Sequence, residues 1–167
     1  MINSKLIRLS FLGVILSILC SCSTEVKDTS KSDAAAIVLN YEYSPTELET
    51  MAMINDYRVS IGLNALVKTS HVSYKSEEHS KYMVANNVVN HDDFVARSEN
   101  IIKVLGAKTV SENVAYNYNS AKGVFDAWMK SEGHRQNIEG NFTHFGISIR
   151  ENSTNGKKYY TNIFVKI

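Results

Sequence analysis

The chain has very few cysteines, and both lie near its start. Its 167 residues contain only Cys20 and Cys22, together with a single proline, Pro45. The residues after Cys22 therefore cannot form an internal disulfide, and a hydrophobic core must stabilise them. A chain of this length is long enough for one domain with a sizeable core.

Several chemical patterns are also missing. The net charge is only +1 at pH 7, so there is no electrostatic basis for binding nucleic acid. The sequence lacks the H-E-x-x-H motif of zinc proteases and the G-x-S-x-G turn of serine hydrolases. The absence of cysteine beyond residue 22 also excludes a cysteine nucleophile from the domain. These absences leave catalysis open but favour a protein that is not an enzyme.

The first residues predict an export signal. A basic start is followed by an apolar stretch, residues 9–19, that is shorter than a typical membrane-spanning helix. The small residue Ser21 directly before Cys22 is typical of a bacterial lipoprotein processing site. We expect residues 1–21 to be a lipoprotein signal peptide and Cys22 to be the lipid attachment site. The alternative is a plain secretory signal with two incidental cysteines.

The predicted lipoprotein signal also implies how the rest of the chain is organised. Residues 22–43 begin with small, polar and charged side chains and are expected to form a lipidated, flexible tether. Residues 44–167 are expected to form the domain. The protein would then be exported and anchored to a membrane of the cell envelope. In a Gram-negative cell this would be the outer membrane, because Ser23 rather than aspartate follows Cys22.

Local signals predict a domain of helices around a small sheet. Ser44, Pro45 and Glu47 form a capping-box pattern that begins the first helix. Gly133 is expected in the left-handed position that ends a later helix, which would put His134 on a tight turn just beyond it. The order of elements favours an α/β fold with α-β-α layers. We predict helices over about 44–61, 70–87, 94–105 and 120–131, a strand over 108–118, and two further strands joined by a turn at Asn155-Gly156.

A carboxylate interrupts the apolar face of the strand at 108–118. Glu112 alternates with Val110, Val114 and Tyr116, so all four side chains point the same way. A lone buried carboxylate costs several kcal/mol, so Glu112 should have a partner or lie at a wet cleft. The alternative is that the strand has a different register.

The histidines are interpreted from their positions along the chain. A rigidly held His134 can ligate a metal, shuttle a proton or sense pH. Alternatively, it simply interacts with the dipole at the end of the preceding helix. His79 is predicted to face the core or the helix surface, and His71 and His144 are predicted at the surface or at a strand edge.

Five segments of the domain carry motifs. They are N-D-Y-R at 55–58 followed by Gly62-Leu63, E-H-S at 78–80 followed by Asn90-His91, S-E-N-V-A at 111–115, W-M-K-S-E-G-H-R-Q-N-I at 128–138, and F-G-I at 145–147. Together they resemble the CAP superfamily of cysteine-rich secretory, antigen-five and pathogenesis-related proteins, in particular its short bacterial branch. The resemblance covers about Ser44 to Ile167. It implies a three-layer α-β-α sandwich with a small, mainly antiparallel sheet.

The resemblance also implies a cleft lined by histidines and glutamates. His91, Glu112 and His134 match the family's cleft residues, and the spacing to Trp128 selects Glu112. Glu132 matches less well, because it lies one residue later than the second glutamate of eukaryotic members.

Two further residues are expected beside the cleft. Asn113 would hold loop backbone in place. Arg135 would either bind an anionic ligand group or bridge loops.

The family's cleft is known to bind divalent metal, which suggests a cofactor. Two imidazoles and one carboxylate with an open fourth position suit zinc. The resemblance therefore implies a metal held by His91, Glu112 and His134, and the same residues would be catalytic in an enzyme. The alternative is a metal-free polar cluster in which Glu112 hydrogen-bonds the histidines.

Three functions remain open. The preferred one is a surface binding module whose cleft takes a small lipid-like or glycan-like ligand from the envelope or a host. The second is a metal-assisted hydrolase of peptide or envelope polymer. The third is an adhesion or signalling domain with a vestigial cleft.

Overall fold

A computed structural model describes residues 36–167 of the chain. The predicted signal peptide, Cys22 and the first part of the predicted tether lie outside these residues. Within the described range, no helix is both long and apolar enough to cross a membrane. The helices are α1 (Pro45–Ser60), α2 (Ser70–Asn86), α3 (Phe94–Leu105), α4 (Ala121–Lys130) and α5 (Glu132–Ile138), and the strands are β1 (Val67–Lys68), β2 (Thr109–Tyr116), β3 (His144–Glu151) and β4 (Lys158–Lys166).

The strands of residues 36–167 form one sheet in the order β1-β3-β4-β2. β2 and β3 both pair with β4 in antiparallel register, and β2 does so from Thr109 opposite Lys166 to Tyr116 opposite Tyr159. β1 pairs with β3 in parallel. The mainly antiparallel sheet is therefore confirmed. β1 has no counterpart in the prediction, because two residues carry no alternation pattern.

Helices cover both faces of this sheet. On one face, Val72 of α2 and Ile101 of α3 pack against Ile163 of β4. On the other face, Trp128 of α4 belongs to a larger core that includes Phe164. Since adjacent residues of a strand point to opposite faces, Ile163 and Phe164 belong to the two different cores. The predicted α-β-α sandwich is confirmed.

The predicted start of α1 is also confirmed. The Ser44 hydroxyl accepts a hydrogen bond from the Glu47 N–H at 3.3 Å, and the Glu47 carboxylate accepts one from the Ser44 N–H at 2.8 Å. Glu47 is fully buried, and its other oxygen accepts hydrogen bonds from the N–H of Ile149 and the guanidinium of Arg150. One carboxylate thus caps the helix and joins it to β3.

Contacts of the domain begin upstream of α1, within the segment predicted as tether. The hydroxyls of Tyr43 and Ser73 lie 2.8 Å apart. The N–H of Val38 donates to Nδ1 of His71 at 3.2 Å. The segment before α1 is therefore attached to the domain at Val38 and Tyr43. The part of the predicted tether before residue 36 lies outside the described residues.

His71 is buried, so the prediction that it lies at the surface or at a strand edge is wrong. Its Nδ1 accepts a hydrogen bond from Val38, so the proton must be on Nε2, which donates to Oδ1 of Asn100 at 2.9 Å. Burial lowers the pKa of His71 and favours this neutral form. His144 begins β3 and is half-buried.

The main departure from the predicted elements follows α4. Ser131 adopts an extended conformation with φ −97° and ψ 118°, and the chain then enters α5. Gly133 has no positive φ angle, and it lies with His134 at the start of α5. The prediction that Gly133 ends a helix and leaves His134 on a tight turn is wrong.

Tertiary contacts explain why α5 forms despite its glycine. A helix of seven residues is not stable alone. Ile138 at its end is fully buried, and Nη1 of the buried Arg58 donates to the carbonyls of Ile138 at 2.6 Å and Gly140 at 2.9 Å. These bonds satisfy carbonyls that a helix end leaves unpaired. Arg58 lies far away in the sequence, so no local pattern could indicate this contact.

Candidate functional site

Glu112 lies in the middle of β2 and is only 6% exposed. The sequence analysis requires a partner for a buried Glu112, and this partner is Arg97 on α3. Nε of Arg97 donates to Oε2 at 3.0 Å, and Nη2 lies 2.9 Å from both carboxylate oxygens. Arg97 is itself 8% exposed. The two residues form a buried, bidentate ion pair of the geometry that guanidinium and carboxylate groups favour.

His91 joins this pair from the loop before α3. Its Nδ1 lies 2.8 Å from Oε1 of Glu112. Because the carboxylate is bound by Arg97 and can only accept, the His91 proton must be on Nδ1. The side chain of His91 is 50% exposed, and Nε2 is the nitrogen left for a ligand. We name Arg97, Glu112 and His91 the Arg–Glu–His cluster.

His79 lies behind the cluster, although its position on α2 gave no direct signal of this contact. Its Nε2 donates to the carbonyl of Asn90 at 2.8 Å and lies 3.9 Å from Oε1 of Glu112. Burial lowers the pKa of His79, and its ring stacks on Tyr82. The sequence allowed a core-facing position, which is the one observed. A neutral imidazole therefore borders the buried ion pair without adding charge.

His134 reaches the same region from α5. Its backbone carbonyl accepts a hydrogen bond from Nδ2 of Asn113 at 3.0 Å, and Asn137 donates to Oδ1 of Asn113 at 2.8 Å. Asn137 also donates to the carbonyl of Glu112 at 3.3 Å. Asn113 thus holds backbone in place, the role predicted for it. Burial, and then the charge of nearby His91, lower the pKa of His134.

Glu132 and Arg135 lie on the exposed side of α5. Glu132 accepts a hydrogen bond from Gln136 at 3.2 Å, and Arg135 lies 4.0 Å from Glu139. Neither side chain has a hydrogen bond to the Arg–Glu–His cluster among the described residues. The predicted cleft roles of Glu132 and Arg135 therefore rest on less evidence than those of His91, Glu112 and His134.

A cavity of about 320 Å³ lies beside His134. Its walls combine aromatic, small apolar and hydrogen-bonding side chains. Two tyrosines of this wall are fixed by other rings, because Tyr116 packs on Tyr159 at 4.8 Å and Tyr118 on Tyr160 at 6.4 Å. The lining residues are Val114, Ala115, Tyr116, Tyr118, Ala127, Trp128, Ser131 and His134.

The donor set does not fit a metal held by Glu112. A carboxylate has about four lone-pair positions. Arg97 and His91 approach Glu112 through four contacts of 2.8 to 3.0 Å. Within residues 36–167, no three His, Cys, Asp or Glu side chains are arranged so that they could hold a metal ion. A metal ion bound through Glu112 would have to compete with these donors.

Two features define the class of domain. Helices cover a mainly antiparallel sheet, and histidines meet a glutamate at a cleft beside β2. Residues 51–165 match the profile of CAP, the cysteine-rich secretory protein family, and the chain belongs to this family.

Two curated relatives come from Bacillus subtilis. The chain is 28% identical to the uncharacterised membrane protein YlbC over 72% of its own length and 34% of the relative's. It is 32% identical to the uncharacterised protein YkwD, over 79% of its own length and 51% of the relative's. The chain therefore spans about half or less of these relatives.

Solved structures share the fold. An extracellular SCP-domain protein of Bacillus anthracis matches with TM-score 0.63 and 24% identity, covering 77% of this chain and 45% of that one. A cysteine-rich secretory protein of Staphylococcus aureus matches with TM-score 0.64 and 20% identity, covering 77% and 40%. An outer surface protein of Borrelia burgdorferi matches with TM-score 0.66 and 15% identity, covering 77% and 98%.

Proposed function

We propose that this protein is an exported binding module whose cleft takes a small glycan-like ligand. The observation that carries the proposal is the cavity of about 320 Å³ beside His134. Tyr118 offers an amphipathic ring, Ser131 and His134 offer hydrogen bonds, and Tyr116 lines the wall with the Lys157 ammonium 5.5 Å from its ring centroid. A sugar ring presents the matching combination of an apolar face and hydroxyl groups.

The fixed tyrosine rings favour binding without rearrangement. Each ring packs against a tyrosine of β4, and Tyr160 is further held by donating to the carbonyl of Tyr118 at 2.6 Å. Little conformational entropy is lost when a ligand meets walls that are already ordered. The apolar side chains of Ala115 and Ala127, which also line the cavity, suit one face of a ring.

The location of the module is part of the proposal. The solved relatives include an extracellular protein and an outer surface protein, and one curated relative is a membrane protein. These relatives support export. We propose in addition that Cys22 carries a lipid that anchors the chain. If Cys22→Ala leaves the protein in the membrane fraction, lipid anchoring at this residue is wrong.

A hydrolase of peptide or envelope polymer is the second candidate, favoured by one observation that supports a general base rather than a metal. The contact of 2.8 Å between Glu112 and Nδ1 of His91 orients the imidazole as in a general base. His91→Ala should then abolish turnover of an envelope peptide or polymer while folding is retained. An adhesion domain with a vestigial cleft would be indifferent to this change.

The binding proposal predicts a specific loss of affinity. Calorimetry with the tetrasaccharide of N-acetylglucosamine should show that His134→Ala and Tyr118→Ala each weaken binding about tenfold or more, equivalent to about 1.4 kcal/mol. Each variant removes one wall of the cavity. Tyr74→Ala is the matched control, because Tyr74 is an exposed tyrosine of α2 that does not line the cavity. Binding of palmitate but not of the tetrasaccharide would contradict the glycan assignment.

A further inference from the structure

We propose that Arg97 takes the part of a bound cation in this cleft. Its guanidinium holds Glu112, and Glu112 in turn positions His91 without a metal. The inference goes beyond the proposed function, because it does not depend on which ligand binds.

The contacts of Glu112 carry the first step. Oε1 accepts from Nη2 of Arg97 at 2.9 Å and from Nδ1 of His91 at 2.8 Å. Oε2 accepts from Nε at 3.0 Å and from Nη2 at 2.9 Å. Three nitrogens, Nε and Nη2 of Arg97 and Nδ1 of His91, therefore engage both oxygens of the carboxylate. A metal ion at Glu112 would compete with these donors.

The guanidinium cannot leave without a large cost. It is always protonated, and both members of the ion pair are buried. Loss of one partner from a buried ion pair leaves an uncompensated charge in the interior. Moreover, Nη1 of Arg97 donates to the carbonyl of Asp92 at 2.6 Å. Arg97 thus holds Glu112 and the residue next to His91 at the same time.

The remaining nitrogens do not form a complete zinc site. Nε2 of His79 donates to the carbonyl of Asn90, whereas its Nδ1 is buried and has no hydrogen-bond partner. Nδ1 of His91 is engaged with Glu112. Nε2 of His91, the ring of His134 and Nδ1 of His79 are left, but within residues 36–167 no three His, Cys, Asp or Glu side chains are arranged as the three protein ligands of a catalytic zinc site. The intact cluster therefore leaves Nε2 of His91 as a fixed hydrogen-bonding group for a ligand.

The experiment is a calorimetric titration of the purified full chain, in detergent, with zinc chloride. Wild type is compared with Arg97→Ala, Arg97→Lys and the double variant Arg97→Ala/His91→Ala. Removal of the guanidinium frees Oε2 of Glu112 and leaves Oε1 with His91 as its only close partner. We expect Arg97→Ala to bind zinc at least tenfold more tightly than wild type. The gain should disappear in the double variant, and Arg97→Lys should stay close to wild type because a cation is retained.

A second measurement covers the case in which Arg97→Ala folds poorly. Zinc that binds only the folded state raises its melting temperature. Zinc should therefore raise the melting temperature of Arg97→Ala but not that of wild type. Equal zinc affinity in wild type and Arg97→Ala would overturn the proposal. The proposal would also be overturned if zinc neither binds Arg97→Ala nor raises its melting temperature.

Discussion

Arg97→Ala should lower the free energy of unfolding by about 3–5 kcal/mol, the usual cost of removing one partner from a buried ion pair. The variant leaves the Glu112 carboxylate buried with only His91 as a close partner. It also removes the donor that satisfies the Asp92 carbonyl. Urea unfolding at neutral pH, monitored by circular dichroism, gives the difference from wild type.

Two controls separate the buried charge from the loss of a side chain. Arg97→Met combined with Glu112→Gln removes both charges, so its loss should be smaller than that of Arg97→Ala alone. Arg135→Ala removes an exposed arginine and should stay within about 0.5 kcal/mol of wild type. A loss from Arg97→Ala no larger than that from Arg135→Ala would show that the ion pair does not stabilise the domain.

Gly146→Ala should destabilise the domain by about 3 kcal/mol or prevent folding, at the upper end of the effects of overpacking. A Cβ atom at this position of β3 would lie 2.3 Å from the Ser73 nitrogen and 2.5 Å from the Val72 carbonyl carbon. Both atoms are backbone of α2, so no side-chain rotation relieves the clash. The helix would have to move away from the sheet. Thermal unfolding by calorimetry measures the effect.

Gly133→Ala is the matched control and also tests the conformation of α5. A Cβ atom at Gly133 would meet nothing within 4 Å. Because Gly133 is helical, alanine should stabilise the domain slightly, by up to about 1 kcal/mol. A clear loss of stability would indicate instead the left-handed conformation that the sequence suggests.

Much of the fold follows from local signals. The capping box at Ser44 begins α1 as predicted, and the alternation around Glu112 gives the register of β2. The anomaly at Glu112 also led correctly to a partner. Its identity was harder to predict, because Arg97 reaches Glu112 only when α3 packs on β2. A usable signal existed, since Arg97 and the buried Ile101 lie four residues apart on one helix face.

The features that sequence reasoning missed all depend on distant contacts. α5 requires Arg58, which lies 80 residues from its partner Ile138. His71 is buried because residues before α1 fold back over α2. His79 borders Glu112 because α2 and β2 share a core, a relation that the helical position alone does not specify. Local patterns locate elements, whereas packing decides which side chains meet.

The central claim is that Glu112, held by Arg97, fixes the proton of His91 on Nδ1. Long-range ¹H–¹⁵N correlation spectra of the ¹⁵N-labelled protein above neutral pH test it most directly, because they distinguish the two ring nitrogens of each histidine. The account predicts that His91 is protonated on Nδ1, whereas His71 and His79 are protonated on Nε2. A spectrum with the His91 proton on Nε2 would contradict it, because Nδ1 could not then donate to Glu112.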